Sequence, residues 1–356
     1  MKKVAVVGGG ISGIFFAIRM KQYHPDFEVH IFEHNDKLLK KIYATGNGKC
    51  NFANTGSLKG KYKNEDFVLP IVEEFNAQDI IDYFYSIGIV SKKVDDLVYP
   101  YSESADTVAR KLLEQVDKLG VNVHLSTEVS NYQGNTLITN KGDFHFDELV
   151  ISTGGCSSSK LGSDGSIYSI LEKHNYKLAP LHPSLCPIKV KENTKMIEGI
   201  RSKVSASLYQ NSKSIHQEDG EVLFKKDGLS GIVIFNLTHY INGLKSLDNI
   251  KIHLDFAKGQ NEEYDSLLHS DLAAYLRNNH LNIHNTVFTF KDFYGFEFSQ
   301  VSSGGLSLDE LNNNLSSKKE RNIYFIGEVI DVDAVCGGYN IMWALASAEK
   351  VAKNIK

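Results

Sequence analysis

The 356-residue sequence predicts an α/β protein in which a nucleotide-binding domain is interrupted by a β-rich, barrel-like insert. Three observations lead to this expectation: a glycine-rich turn between the first strand and helix, alternating strands and helices at both chain ends, and short alternating strands in the middle. We expect the split domain at 1–184 and 303–356. The insert is expected at 185–302, with a helical segment at about 261–284.

The first 33 residues have the pattern of a βαβ unit. Residues 3–7 form a short apolar run that predicts a buried strand, and residues 11–21 carry apolar side chains at helical spacing. Residues 28–33 alternate between apolar and polar, which predicts a second strand parallel to the first.

A glycine motif joins the first strand to the first helix. Gly8-x-Gly10-x-x-Gly13 lies at this junction, and Glu33 follows twenty residues after Gly13. This is the dinucleotide-binding fingerprint in its required context. The glycines permit a tight turn and a close approach of backbone to pyrophosphate, and Glu33 would accept hydrogen bonds from ribose hydroxyls.

Later segments continue the alternation. Residues 104–119 predict a helix that ends at Gly120, residues 149–153 and 323–326 predict buried strands, and residues 341–354 predict a final helix.

The middle of the chain is predicted to be β-rich. Asp219-Gly220 predicts a hairpin turn between residues 214–218 and 221–224, and residues 287–299 predict a further strand. Residues 262–276 predict an amphipathic helix. Ser230 is expected to cap a helix over residues 232–240.

Three further segments distinguish FAD from NAD as the ligand. Residues 45–54 (TGNGKCNFAN) are too polar for a core and suit a loop against a polar heterocycle. Residues 153–155 end a strand where bare backbone can approach a cofactor. Residues 327–340 lead into the last helix, whose N-terminal end would stabilise the negative charge of a reduced flavin.

These segments together resemble a bacterial flavoprotein family. GGGISG with Glu33, TGNGKCNFAN, TGGCSSSKLGSDGSIY, GLSG and GEVIDVDAVCGGYNIMWALASA occur in the order seen in predicted NAD(P)/FAD-dependent oxidoreductases. That family includes aminoacetone-oxidase-like proteins and a flavin reductase of bile-acid dehydroxylation. The resemblance runs from end to end and implies an FAD domain of glutathione-reductase type, an inserted β-barrel-like domain and a small helical insert.

The resemblance also implies which residues contact the cofactor. The expected FAD-binding residues are Gly8, Gly10, Ser12, Gly13, Glu33, Lys41, Thr45, Gly46, Asn47, Gly48, Val129, Thr153, Gly154, Gly155, Gly327, Glu328, Asp331, Gly337, Gly338, Asn340 and Ile341. Lys49 and Asn51 are the expected catalytic residues on the flavin side, offering a positive charge and hydrogen bonds. The sequence departs from the family at Lys49, where arginine is usual, and at Ser158 and Ser159, which replace an aromatic-proline pair.

The leading functional prediction is an FAD-dependent oxidoreductase in which NAD(P)H reduces the flavin and a small molecule accepts the hydride. No second G-x-G-x-x-G follows a strand, so the nicotinamide is expected to bind transiently at the flavin. Three alternatives remain open. They are a flavin amine oxidase that uses an aminoacetone-like substrate and O2, a non-catalytic flavin- or NAD-binding regulatory protein, and an NAD-dependent dehydrogenase without flavin.

Composition excludes several other classes. A net charge of -4 argues against a nucleic-acid partner. The four cysteines have no C-x-x-C spacing, and the histidines have no metal-ligand spacing, so neither a disulfide framework nor a metal is expected. Packing is favoured over a redox pair for Cys50 and Cys336. No apolar run approaches about 20 residues, so no membrane partner and a cytoplasmic location are expected, with no prediction of oligomeric state.

Overall fold

The structure, a computed structural model, describes residues 1–260 and 264–356. It divides into two compact units. The first, here called the split unit, comprises Met1–Leu181 and Ser302–Lys356, and the second, the barrel unit, comprises His182–Val301. From the sequence, the corresponding junctions are expected at 184/185 and 302/303.

Within the described ranges, strands and helices follow one another from residue 3 to residue 354. The strands are β1 (Lys3–Val7), β2 (Glu28–Phe32), β3 (Ala53–Asn54), β4 (Ser91–Val94), β5 (Leu97–Pro100), β6 (Asn122–His124), β7 (Val129–Gln133), β8 (Thr136–Thr139), β9 (Gly142–His145), β10 (Glu148–Ile151), β11 (Leu178–Ser184), β12 (Ile188–Val190), β13 (Arg201–Gln210), β14 (Lys213–Lys225), β15 (Gly228–Ser230), β16 (Ile250–Asp255), β17 (Thr286–Phe293), β18 (Val301–Leu306) and β19 (Ile323–Phe325). The helices are α1 (Ile11–Tyr23), α2 (Glu65–Glu74), α3 (Ala77–Ser86), α4 (Ala105–Lys118), α5 (Ser166–Lys173), α6 (Ile232–Asn242), α7 (Tyr264–Leu267), α8 (Ser270–Asn278) and α9 (Tyr339–Asn354).

The split unit is organised around a five-stranded parallel sheet in the order β19-β10-β1-β2-β6. Its central strand β1 is almost entirely apolar and buried, as expected for a parallel strand covered on both faces. Two small antiparallel sheets, β3-β5-β4 and β7-β8-β9, accompany it. The chain passes into and out of the barrel unit within β11 and β18, which pair with each other.

An ion pair joins the first and last helices of the split unit. Arg19 on α1 donates from Nε to Oε2 of Glu349 on α9 at 2.6 Å, and from Nη2 to Oε1 at 2.9 Å. Tyr23 also donates to Glu349. Burial raises the pKa of the Glu349 carboxyl, but the bonds from Arg19 and Tyr23 outweigh this and hold it below its ordinary value.

The barrel unit is a closed antiparallel barrel in the order β12-β15-β14-β13-β16-β17. Its interior is filled by aliphatic and aromatic side chains, with Phe224, Phe288 and Leu254 all fully buried. The apolar side chains of α6 join the same core. The predicted β-rich, barrel-like insert is confirmed.

The predicted hairpin turn at Asp219-Gly220 is wrong. Strand β14 runs straight through both residues, and the turn lies at Asn211 and Ser212, which adopt left-handed φ values of 48° and 65°. A Cβ on Gly220 would lie 2.8 Å from Cγ1 of Val233 on α6. This glycine therefore permits close packing of a helix, and it does not mark a turn.

Three other local predictions for the barrel unit need correction. Ser230 does not cap α6, because Gly231 is the N-cap residue and no side chain caps it. Strand β17 ends at Phe293, since Gly295, at φ 107°, starts a short 3-10 turn. The helix predicted over 262–276 is two helices, α7 and α8, and residues 262 and 263 lie outside the described residues.

In the described part of the chain, every helix is too short or too polar to span a bilayer.

Candidate cofactor and active site

The turn between β1 and α1 is built so tightly that only glycine fits. A Cβ on Gly8, whose φ is 106°, would lie 2.6 Å from the carbonyl oxygen of Ser152. A Cβ on Gly13 would lie 2.1 Å from the carbonyl oxygen of Gly8. Strand, turn and helix therefore pack in the geometry that a dinucleotide fold requires.

The start of α1 is open to a ligand. A Cβ on Gly10 would meet nothing within 4 Å, and no side chain caps this N-cap residue. The first helical bond runs from Ile14 N to Gly10 O, so the N–H groups before it, including that of Ser12, have no intrahelical acceptor. Together with the helix dipole, they form an anion site suited to pyrophosphate.

Glu33 is buried and is held by the backbone of the same turn. Its Oε2 accepts from Gly9 N at 2.7 Å, and its Oε1 accepts from Asn35 N at 2.8 Å and from Asn35 Nδ2 at 2.7 Å. Glu33 therefore fixes the glycine turn, a role that the sequence analysis missed. Its contact with ribose stays a prediction.

Lys41 and Glu328, both predicted cofactor residues, meet although they are far apart in sequence. Lys41 Nζ donates to Glu328 Oε2 at 2.8 Å and to Ser157 Oγ at 2.6 Å, and Ser157 Oγ donates to Glu328 Oε1 at 2.9 Å. A Cβ on Gly155 would lie 3.2 Å from Glu328 Oε1. The strand end at 153–155 thus lies directly beside this pair. Sequence reasoning missed Ser157.

Asp331, which is nearly buried, forms a second ion pair with a partly exposed lysine. Its Oδ1 accepts from Lys63 Nζ at 2.7 Å and from Gly304 N at 2.9 Å. Lys63 was not predicted as a site residue. It ends a stretch of the sequence, residues 37–63, that contains seven lysines and no Asp or Glu, and this local charge is a signal that could have identified it.

The polar loop at 45–54 lies against the start of α9. Asn54 Nδ2 donates to the carbonyl of Gly337 at 2.8 Å. Gly338 is the N-cap residue of α9 with φ 94°, and a Cβ there would lie 3.0 Å from Asn51 Oδ1. The structure therefore brings together Asn51, Gly337 and Gly338, three of the predicted flavin-side residues.

Asn340 has a local role in the structure. Its Nδ2 donates to Ala334 O at 2.9 Å and its Oδ1 accepts from Ala334 N at 3.0 Å, which closes the turn before α9. Its backbone N–H, like that of Ile341, lies in the first turn of α9, where no side chain provides a cap. Any contact between this position and the flavin is expected to involve the backbone N–H group.

The loop from Thr45 to Cys50 has an unusual backbone. Gly46, Asn47, Gly48 and Cys50 all have left-handed φ values between 55° and 83°. Such conformations in non-glycine residues are costly and are concentrated at functional sites. Burial raises the pKa of the Cys50 thiol to about 12, so this cysteine is protonated at neutral pH and acts as a packing residue.

Lys49 points toward a surface carboxylate. Its Nζ lies 2.7 Å from Glu103 Oε2, and 53% of its side chain is exposed. Its hydrogen bond with Glu103 raises the pKa of Lys49. Lys92 pairs with the same carboxylate. The catalytic role of Lys49 stays a prediction.

Two buried oxygen atoms in the predicted segments test whether FAD fits the site. Thr153 Oγ1 and Asn51 Oδ1 have no hydrogen-bond partner among the described residues. Buried polar atoms are normally satisfied, so a missing donor is expected at each. The hydroxyls and imide N–H of FAD are such donors, and the two uncapped helix starts suit its anionic groups. Val129, at the start of β7, stays a predicted adenine contact.

Comparison with known families decides the assignment. Residues 2–354 match the family described as HI0933-like protein Rossmann domain. The chain belongs to this family of FAD-binding oxidoreductases. It is an FAD-dependent oxidoreductase, which confirms the predicted enzyme class and FAD as the cofactor, while NAD(P)H as co-substrate stays a prediction.

Relatives extend over the whole chain. The 3-dehydro-bile acid delta(4,6)-reductase of Clostridium scindens is 27% identical over 397 residues, which cover 98% of this chain and 97% of the relative. The ribosomal RNA dihydrouridine synthase of Escherichia coli is 25% identical over 395 residues, with the same coverage of 98% and 97%.

Solved structures share the fold. The 3-ketosteroid-delta4-(5alpha)-dehydrogenase of Rhodococcus jostii RHA1 has a TM-score of 0.53 and 12% identity, with 99% of this chain and 97% of that chain covered. A flavocytochrome c3 fumarate reductase has a TM-score of 0.52 and 11% identity, with 99% and 78% covered. At this level of identity the comparison supports the architecture alone.

Proposed function

We propose that this protein uses NAD(P)H to reduce FAD and passes the hydride to a C=C bond conjugated to a carbonyl group of a small molecule. The observation that carries the proposal is that two relatives named for dissimilar substrates share one kind of reaction. A 3-dehydro-bile acid delta(4,6)-reductase acts on C=C bonds conjugated to a 3-oxo group. Dihydrouridine is uridine whose C5=C6 bond, conjugated to the C4 carbonyl, has been reduced.

The reaction balances without a further reagent. The nicotinamide gives a hydride and leaves as NAD(P)+. FAD, when bound, carries that hydride from donor to acceptor. The acceptor gains the hydride at the carbon β to its carbonyl and a proton, supplied by water, at the α carbon.

Donor and acceptor are expected to use one site in turn. The glycine fingerprint occurs once in the sequence, and the described residues contain one five-stranded parallel sheet, which carries it. A separate NAD(P)H domain of the same type has no place in this arrangement.

The flavin-side residues suit this chemistry. Hydride addition to the β carbon moves negative charge onto the carbonyl oxygen, where a cation stabilises it. Lys49 lies in the loop that contacts the start of α9 and is the predicted cation. Asn51, whose buried Oδ1 accepts no protein hydrogen bond, is the predicted positioning group.

An anaerobic two-step experiment tests the proposal. We expect NADH or NADPH to bleach the flavin absorbance of the purified protein, and an α,β-unsaturated ketone, such as a 4-en-3-one steroid, to restore it with formation of the saturated product. If neither nicotinamide bleaches the flavin, while aminoacetone does and yields peroxide in air, the protein is an amine oxidase instead.

A uracil base in RNA is a second candidate acceptor. The relatives from Escherichia coli and Haemophilus influenzae, at 25% and 24% identity, are both named ribosomal RNA dihydrouridine synthase. In this chain, residues 37–63 contain seven lysines and no Asp or Glu. Among the described residues, Lys59 and Lys61 form no ion pair, so this segment offers local positive charge despite the net charge of -4.

The two acceptors can be separated in cells. If RNA is the substrate, ribosomal RNA from a deletion strain will lack a dihydrouridine that mass spectrometry detects in the parent, and a plasmid copy of the gene will restore it. An unchanged dihydrouridine content would remove this candidate and leave the small-molecule acceptor. It would also uphold the expectation that nucleic acid is not a partner.

A further inference from the structure

We propose that the barrel unit carries a nucleotide-binding groove on its outer surface. The groove has a volume of about 490 Å³ and is lined by Tyr209, Asn211, Ser212, Asn249, Lys251 and His253. This volume lies within the range of about 300–1,000 Å³ that is typical of small-ligand sites. All six residues belong to the barrel unit.

Two aromatic rings form one wall of the groove. Tyr209 on β13 pairs with Lys251 on β16, and His253 follows two residues along the same strand, so all three side chains are on one face. The ring centroids of Tyr209 and His253 are 4.3 Å apart. His253 Nδ1 lies 2.7 Å from Asn285 Oδ1, which fixes the imidazole ring. Planar rings held on the face of a sheet are the platforms on which nucleobases stack.

Two asparagines supply a hydrogen-bonding edge. Asn249 Nδ2 donates to Asn211 Oδ1 at 3.0 Å, and both residues have left-handed φ values, 54° and 48°. This bond leaves the amide N–H groups of Asn211 as donors and the amide oxygen of Asn249 as an acceptor. A donor and an acceptor side by side match the edge of a nucleobase.

Lys251 gives the groove a positive charge. It is exposed and forms no ion pair within the described parts of the chain. Two aromatic rings inclined at 39° to each other, an amide edge and an uncompensated cation together match a base and its phosphate. The ligand is therefore a nucleotide, either free or as one unit of a single-stranded RNA.

The test measures binding to the full-length, FAD-loaded protein, so the cofactor site is already filled. Calorimetry with UMP and AMP, and fluorescence anisotropy with a labelled, unstructured 12-nucleotide RNA, distinguish the two sources. No nicotinamide is added, so the outcome does not depend on flavin reduction. The groove proposal can fail while the reductase proposal stands, and the reductase proposal can fail while nucleotide binding to the groove is observed.

We expect Tyr209→Ala to weaken binding at least fivefold, because a stacked base is lost. Tyr209→Phe keeps the ring and should bind within twofold of the parent. Lys251→Ala should weaken binding and reduce its salt dependence. Lys226→Ala, an exposed lysine beyond the opposite end of β14, is the matched control and should change nothing.

Binding of mononucleotides supports a free nucleotide as the ligand, and binding of the RNA alone supports single-stranded RNA. In either case Tyr209→Ala must weaken the binding. The proposal is overturned if the parent protein binds neither probe at millimolar concentration, or if Tyr209→Ala binds as the parent does. If Tyr209→Ala loses its fold by circular dichroism, Lys251→Ala decides, because its side chain is exposed and contributes little to folding.

Discussion

The split unit and the barrel unit differ in what they bury. Within the described residues, six carboxylates are nearly inaccessible to solvent, and all six lie in the split unit: Glu33, Glu148, Glu310, Asp331, Asp333 and Glu349. The described part of the barrel unit buries no carboxylate, and its interior is aliphatic and aromatic with a few hydroxyl, amide and imidazole groups.

The two units therefore rely on different interactions for their stability. A buried carboxylate is destabilising unless it is paired or hydrogen-bonded, so the split unit depends on specific partners such as Lys63 and Arg19. The interior of the barrel unit depends on close packing. We therefore expect pH and ligand to alter the stability of the split unit, and core volume to alter that of the barrel unit.

The largest expected effect comes from Gly13→Ala. A Cβ at this position would lie 2.1 Å from Gly8 O and 2.5 Å from Ser152 Oγ, so strand and helix must separate. We expect the split unit not to fold and no FAD to co-purify, while barrel signals persist in NMR spectra.

Gly10→Ala is the matched control for that change. Its Cβ would meet nothing within 4 Å, so the apoprotein should melt at the parent's temperature. The added methyl group would occupy the space through which pyrophosphate approaches. FAD should therefore bind at least tenfold more weakly in a fluorescence titration. Parent-like FAD affinity would place the pyrophosphate elsewhere.

Phe224→Ala tests packing in the barrel unit. Phe224 is fully buried and lies 6.0 Å from Phe288, measured between ring centroids. We expect its loss to lower the free energy of unfolding by about 3–5 kcal/mol in denaturant titrations, equally with and without FAD. Phe298→Ala, at a half-exposed aromatic residue of the same unit, should cost less than about 0.5 kcal/mol. A loss of stability that FAD reverses would contradict the expectation that ligand alters the stability of the split unit and not that of the barrel unit.

Glu349→Gln tests the buried charges of the split unit. At pH 7 it should lower the free energy of unfolding by about 3 kcal/mol, because Arg19 loses its partner. The pKa of Glu349 is held below its ordinary value of 4.5, so its stabilising effect is present above pH 4.5 and is lost as pH falls through the lowered value. The difference between parent and variant should therefore shrink below pH 4.5. Glu114→Gln, at an exposed ion pair with Arg110, should lower the free energy of unfolding at pH 7 far less than Glu349→Gln does.

The smallest structural effect is expected from Lys49→Met. Because Lys49 is exposed, FAD content and the unfolding transition should not change. The rate at which reduced flavin transfers its hydride to the acceptor should fall severalfold in stopped-flow measurements. Lys92→Met removes the other lysine on Glu103 and should leave that rate unchanged. Equal rates in both variants would remove Lys49 from the catalytic residues.

Local patterns predicted much of the split unit. The turn from β1 to α1 follows from spacing within thirteen residues, and β1 has the bounds that its apolar run indicates. The pairs Lys41–Glu328 and Lys63–Asp331 join residues 287 and 268 positions apart, and no periodicity encodes such contacts. They exist because the folded split unit brings Lys41, after β2, and Lys63, before α2, against the segment between β19 and α9.

The barrel unit shows where local signals fail. Asp219-Gly220 has the composition of a hairpin turn, but its pairing with Val204 and Ser205 of β13 keeps it extended. The actual turn at Asn211 and Ser212 carries a weaker turn signal. Tertiary pairing therefore overrode local propensity. The groove beside that turn depends on Tyr209 and His253, which come from separate strands, and no motif predicts it.

Because the barrel unit interrupts the split unit in sequence, the last elements of the split unit are synthesised late. Strand β19 and helix α9, which complete the sheet and contact α1, are translated after the whole barrel unit. A ribosome-bound chain can therefore form the barrel from contiguous residues while the earlier half of the FAD site is still without its partners. Cofactor capture becomes one of the last events in biogenesis. Until then, the nascent chain exposes the apolar surface that α9 will cover, and surface of this kind is prone to aggregation.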